Sequence, residues 1–161
     1  EDCNHQNPIQ PMKQFDKYII LIADDDEDDI QFFEEALEEL NENSVLITAK
    51  NGVELISYLE GSCEVPHVLF LDMNMPLKNG SECMKDIMQL DNCKDLLIVI
   101  YSTAINHQEI PTYISQGSRH YIQKPNDFAQ IKKAIKTVLS ILSEKLIYDK
   151  FVIDLDTLID E

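Results

Sequence analysis

From Tyr18 onward, short unbroken apolar runs alternate with stretches in which apolar residues return every third or fourth position. The first run, Tyr18–Ala23, is followed by Ile30, Phe33, Leu37 and Leu40 at helical spacing, so it predicts a strand feeding a helix. The same unit recurs at 45–49 then 53–59, at 68–71 then 82–90, and at 97–101 then a helix before Gly117. A fifth strand at 120–123 leads into a long helix predicted over 126–147. The runs Val68-Leu69-Phe70-Leu71 and Leu97-Ile98-Val99-Ile100 carry no polar residue, as central parallel strands covered on both faces require. Five such units with right-handed crossovers predict an α/β domain: a doubly wound, five-stranded parallel sheet with helices on both faces.

Three segments depart from this rhythm. Residues 1–16 are polar, contain Pro8 and Pro11, lack periodicity and read as an N-terminal arm before a domain spanning 17–147. Pro111 falls inside the expected fourth helix, where it deletes an N–H and clashes unless it sits in the first turn, so that helix is predicted to be short or kinked. The extension 148–161 carries Phe151, Leu155, Leu158 and Ile159 at helix-like spacing, which fits packing on its own domain or a homodimer contact.

Composition narrows the function classes. The chain has 161 residues, 44% hydrophobic and 27% charged, which fits one ordinary globular domain rather than a disordered or fibrous class. Thirty Asp and Glu against 13 Lys and Arg give a net charge of -17, which repels phosphate backbones and argues against direct nucleic-acid binding. No apolar run approaches the roughly 20 residues that span a bilayer, so no membrane association is expected. Cys3, Cys63, Cys83 and Cys93 have no metal-ligand spacing, and they read as reduced thiols of a cytoplasmic protein. His5, His67, His107 and His120 are equally scattered.

In open parallel sheets, ligands bind beyond the carboxyl ends of the strands. There the sequence supplies Asp24, Asp25 and Asp26 after the first strand, Asp72 after the third, Ser102 and Thr103 after the fourth, and Lys124 with Pro125 after the fifth. Any one of these is commonplace, since Asp after a strand is a usual cap or turn former. Together they are not. Two carboxylates about 4 Å apart repel by roughly 4 kcal/mol at an effective dielectric of 20, so Asp24, Asp25 and Asp72 can converge only with shifted pKa values or a cation. Lys124 offsets one charge, and Mg2+, which favours a few carboxylates plus water and phosphate oxygens, balances the rest. Such a site equips Asp72 as an in-line nucleophile toward phosphorus, with Lys124 and the Ser102 hydroxyl holding phosphoryl oxygens.

Four stretches, IILIADDDEDD, VLFLDMNMPLKNG, IVIYSTA and YIQKP, resemble in order and spacing the receiver domains of two-component response regulators, most closely the single-domain, CheY-like members. The resemblance covers roughly 18–142 and implies a flavodoxin-like fold with Mg2+ as cofactor. It implies that Asp24 and Asp25 position the metal, that Asn74 lends it a backbone carbonyl, and that Asp72 is phosphorylated. It further implies that Ser102 and Lys124 contact the phosphoryl group, with Thr103 beside them, and that Tyr121 is an aromatic switch. Pro125 stands where the family usually has a cis peptide that aims the lysine inward, and Pro76 and Gly80 match the loop after the phosphoacceptor. Asp28 and Asp29 are expected as solvated caps of the first helix; Asp26 is ambiguous, since a slip of one place would make the metal pair Asp25 and Asp26.

The implied function is that of a stoichiometric phosphoacceptor with slow self-dephosphorylation rather than an enzyme. A sensor histidine kinase would be the donor, and a downstream protein would read the face of the fourth helix, fifth strand and fifth helix. Competing readings fit less well. An Asp-nucleophile phosphatase needs a second Asp where Asn74 stands, and a dinucleotide-binding module needs a Gly-rich first turn in a chain with only 4 Gly. A receiver that has lost phosphorylation is disfavoured because every reactive position is filled.

Overall fold

In the computed structural model, which describes residues 15–62 and 64–158, each apolar run between 18 and 123 becomes a strand and the periodic stretch after each becomes a helix. The strands are β1 (Tyr18–Ala23), β2 (Ser44–Ala49), β3 (Val68–Leu71), β4 (Leu97–Ser102) and β5 (His120–Gln123). They alternate with helices α1 (Glu27–Leu40), α2 (Gly52–Gly61), α3 (Gly80–Met88), α4 (Ile110–Ser115) and α5 (Phe128–Leu142). All strand pairs are parallel and the sheet order is β2-β1-β3-β4-β5, as a doubly wound fold requires.

Side chains alternate across the sheet with the period of two that strands impose. Ile20, Ile22, Phe70, Val99 and Ile122 face one layer with Phe33 of α1 and Ile135 of α5, while Leu21, Leu69, Leu71 and Ile100 face the other with Leu55 of α2 and Met84 of α3. Phe33, Phe70 and Tyr101 meet edge to face, with ring centroids 4.8 to 5.8 Å apart. These layers make the sheet a rigid plate, and the carboxyl ends of β1, β3, β4 and β5 form one edge of it.

Three expectations need revision or completion. The last helix does not run to 147. It stops at Leu142 because Glu144 turns left-handed (φ 62°), and the Glu144 and Lys145 N–H groups donate to the carbonyls of Ile141 and Ser140. This closing pattern usually recruits glycine, whose absence hid the stop. Helix α4 is short, as Pro111 dictated, with the proline in its first turn and a single helical turn, His107–Glu109, before it. The segment after Ser143 is not a helix. It runs extended past β5, where Val152 bridges Tyr121, then makes one turn at Leu155–Thr157 capped by Asp154, with Ile153 and Leu155 buried on its own domain.

The arm at 1–14, with Cys3, His5, Pro8 and Pro11, lies outside the described residues, as do Cys63 and Ile159. Cys83 and Cys93 are buried free thiols. Among the described residues no helix is long and apolar enough to cross a membrane.

Candidate functional site

Strand pairing continues one residue beyond the strands and carries the polar groups into place. The Asp24 N–H donates to Ala49 at 3.0 Å, Asp72 N–H to Ala23 at 2.9 Å, and Lys124 N–H to Ser102 at 2.8 Å. Two carboxylates and an ammonium are thereby anchored at one edge by the backbone ladder.

Asp24 is fully buried, and its Oδ1 accepts from the Asp26 N–H at 3.0 Å. Asp26 points the other way, accepting from the Asp28 and Asp29 N–H groups as the N-cap of α1. Asp24, Asp25 and Asp72 are the carboxylates that gather, with one oxygen of each within 4.8 Å of the others, and Asp25 is the exposed member. Asp72, buried, accepts from the Ser102 hydroxyl at 3.0 Å and from the Asn74 N–H at 3.2 Å, both at Oδ1.

Lys124 reaches into this cluster. Its Nζ lies 2.7 Å from Asp24 Oδ2, 2.9 Å from Asp29 Oδ2 and 3.8 Å from Asp72 Oδ2. Asp29 was expected to be a solvated cap; it instead lies in the first turn of α1, three residues past the cap, where its side chain turns back over the sheet edge. Only its helical offset from Asp26 could have signalled this. The Lys124–Pro125 peptide is trans, contrary to expectation, as are all peptides among the described residues. Trans is the intrinsically favoured form, and the contacts of Lys124 show that its inward aim is met without the cis isomer.

Burial pushes the Asp24 carboxyl up to about 6, against the lowering influence of Lys124 and the Asp26 N–H. Burial also works to lower Lys124, but it is outweighed by hydrogen bonds to Asp24 and Asp29 and by the charges of Asp24 and Asp72, which hold the lysine above its ordinary value. The buried Asp24 Oδ2 atom faces the Lys124 ammonium at 2.7 Å. Three carboxylates gathered beside a single ammonium leave an excess of negative charge that fits a hard divalent cation.

The remaining candidates lie around the cluster. Thr103 is exposed, its carbonyl accepting from Gln123 at 3.0 Å. Tyr121 is 1% exposed, and its hydroxyl donates to the carbonyl of Ala104, two residues past Ser102. In the loop after Asp72, Leu77 takes φ 68° next to Pro76, and Asn79 closes the loop with a reciprocal cap to Glu82 at the start of α3.

Comparison with known proteins places this geometry. The family model of the response regulator receiver domain matches residues 20–136. The response regulator Rcp1 of Synechocystis is 23% identical over 131 residues, covering 78% of this chain and 89% of its own. A chemotaxis protein CheY homolog of Campylobacter jejuni is 30% identical over 120 residues, covering 74% of this chain and 91% of its own. Among solved structures, the phosphorylated cyanobacterial phytochrome response regulator RcpA superposes with a TM-score of 0.73 at 24% identity, covering 81% of this chain and 97% of its own. The Mn(2+)-bound form of Rcp1 gives 0.70 at 21%, covering 83% and 99%.

Proposed function

The chain belongs to the response regulator receiver domain family, and on that footing we propose that Asp72 accepts a phosphoryl group from a sensor histidine kinase in a Mg2+-dependent transfer. The observation that carries this reading is the convergence of Asp24, Asp25 and Asp72 beside Lys124 and Ser102 at one sheet edge. Asp24, Asp25 and Asp72 would hold the cation, with the Asn74 backbone carbonyl as a further ligand, and the Mn(2+)-bound form of the similar Rcp1 supports a divalent ion there. Bound Mg2+ supplies neutralisation of charge on the phosphoryl oxygens.

The chain's own residues do the rest. An Asp72 oxygen forms the new bond to phosphorus as the bond to the donor nitrogen breaks, and the leaving imidazole keeps the electron pair. Lys124 moves from its carboxylate partners toward the phosphoryl oxygens, and the Ser102 hydroxyl passes from Asp72 to the same group. Thr103 lines the approach. Ser102 and Tyr121 report the change to the face of α4, β5 and α5, where a downstream protein reads it. The chain acts as a stoichiometric acceptor, and its acyl phosphate returns slowly to carboxylate.

Intact mass after incubation with acetyl phosphate tests this. One phosphoryl increment is expected with Mg2+ and none after chelation or in Asp72→Asn. An increment that persists in Asp72→Asn removes the assignment. Phosphotransfer profiling against purified histidine kinases then identifies the donor.

A further inference from the structure

Tyr121 lies on the outermost strand of the sheet, where a tyrosine ordinarily has an open side, yet it is 1% exposed. The segment after α5 supplies the cover. The Tyr121 N–H donates to Phe151 at 2.9 Å and the Ile153 N–H donates to Tyr121 at 2.9 Å, so both peptide groups that Tyr121 turns away from β4 are paired. This closes an edge that would otherwise present unpaired strand groups. The ring lies between Tyr113 of α4 at 6.1 Å and Phe151 at 6.3 Å. Further contacts tie the segment down at both ends: the His120 ring nitrogen Nδ1 pairs with the Lys150 carbonyl at 3.0 Å, and Lys133 donates to Leu158 at 2.7 Å.

The tyrosine is in turn linked to the site. Its hydroxyl is held by Ala104, which follows Ser102 and Thr103, and the Ser102 hydroxyl is on Asp72. A continuous path of packed and hydrogen-bonded groups therefore joins Phe151 to Asp72 through Tyr121. Because the segment makes its contacts with Tyr121 buried, it lowers the free energy of that arrangement relative to any in which the ring swings out.

We propose that residues 148–158 are a strap that holds Tyr121 in its buried position, with Phe151 as the positioning residue, and so favours the arrangement in which Ser102 is drawn to Asp72. The proposal rests on the reading of Asp72 as phosphoacceptor. It makes the strap part of the switch: a partner that reads the α4, β5 and α5 face meets the strap rather than a bare strand edge. Thermodynamic linkage gives the relation a sign and a symmetry. The strap strengthens binding of a phosphoryl mimic at Asp72, and the mimic strengthens docking of the strap by the same factor.

The test uses the full chain with beryllium fluoride and Mg2+, read by fluorine NMR for binding and by amide hydrogen exchange at Ile153. In the wild type, saturation is expected to slow exchange at Ile153. In Phe151→Ala, exchange at Ile153 is expected to quicken without the mimic and its affinity to fall by about fivefold or more. The conservative Phe151→Tyr is expected to restore the wild-type affinity, and Ile147→Ala, at a 90% exposed position, to leave it unchanged. Phe151→Ala that loosens the strap yet binds the mimic as well as the wild type, or better, overturns the proposal. So does wild-type binding with no change at Ile153, and both outcomes leave the phosphoacceptor reading intact. Failure of the wild type to bind the mimic at all overturns that reading and the strap with it.

Discussion

Lys124 stands 2.9 Å from Asp29, closer than its 3.8 Å to Asp72, the carboxylate whose phosphoryl group it is proposed to hold. The lysine is thus engaged elsewhere in this arrangement, and leaving Asp29 opposes its movement onto phosphate. Asp29→Asn removes that competing charge while keeping a polar group in the first turn of α1. The initial rate of phosphorylation by acetyl phosphate is expected to rise by roughly threefold to tenfold, about 0.7 to 1.4 kcal/mol, the scale of a partly screened ion pair. An unchanged or slower rate would show that Asp29 does not restrain the lysine.

The same pair marks how far the sequence could be read. The central strands β1, β3 and β4 were legible as apolar runs covered on both faces, the edge strands β2 and β5 from the recurrence of the strand–helix unit, and the site followed because polar residues right after the strands must share an edge. Asp24, Asp72, Ser102 and Lys124 were found this way, and the structure brings them together. Asp29 was hidden among acids that all suit a helix N-terminus, and only the turn of α1 distinguishes it from exposed Asp28. The end of α5 and the course of the strap were hidden for a different reason. A left-handed Glu144 carries no compositional mark, and Phe151, Leu155 and Leu158 keep helical spacing while the backbone there is extended or turning.

Leu77 offers a stability test close to the site. It adopts φ 68° between Pro76 and Lys78, whose carbonyl and N–H close a tight turn at 2.7 Å, and its side chain is 77% exposed. A turn closed between residues i and i+2 at positive φ strains an L-residue by about 1–3 kcal/mol, whereas glycine, with no Cβ, adopts positive φ freely. Leu77→Gly sacrifices little burial, and after the extra backbone entropy that glycine loses on folding a gain of about 0.5 kcal/mol in urea denaturation is expected. A loss of stability would mean that the leucine makes contacts worth more than the strain.

Gly80 sits where the same loop enters α3. A Cβ there would lie 2.7 Å from Met73 Sδ, 2.8 Å from Met73 Cα and 2.8 Å from the Asp72 carbonyl oxygen. The sulfur can move; the two backbone atoms cannot without displacing Asp72. Gly80→Ala is therefore expected to lower stability by about 1–3 kcal/mol and to slow phosphorylation of the fraction that remains folded. Wild-type denaturation together with wild-type phosphorylation would show that the loop absorbs the methyl.

The buried Asp24 carboxyl should make the effect of Mg2+ depend on pH in a definite sense. Its value in the folded chain is raised from 3.8 to about 6, chiefly by burial, so the native state binds its proton more tightly than the unfolded chain does. In the absence of metal, the stability contributed by this group is present below pH 3.8, declines as pH rises through the window to about 6, and is absent above it. Mg2+ requires the ionised form, so proton and metal compete for one carboxylate. The gain in thermal stability from Mg2+ is expected to be small near pH 5 and to reach its full size near pH 7, with apparent affinity falling about tenfold per pH unit on the acid side. Asp24→Asn is expected to flatten this group's metal-free pH slope and to remove most of the gain from Mg2+. Thermal denaturation across that range, with and without Mg2+, decides the matter. Mg2+ stabilisation that is equal at both ends would mean that Asp24 is not the carboxylate the cation needs.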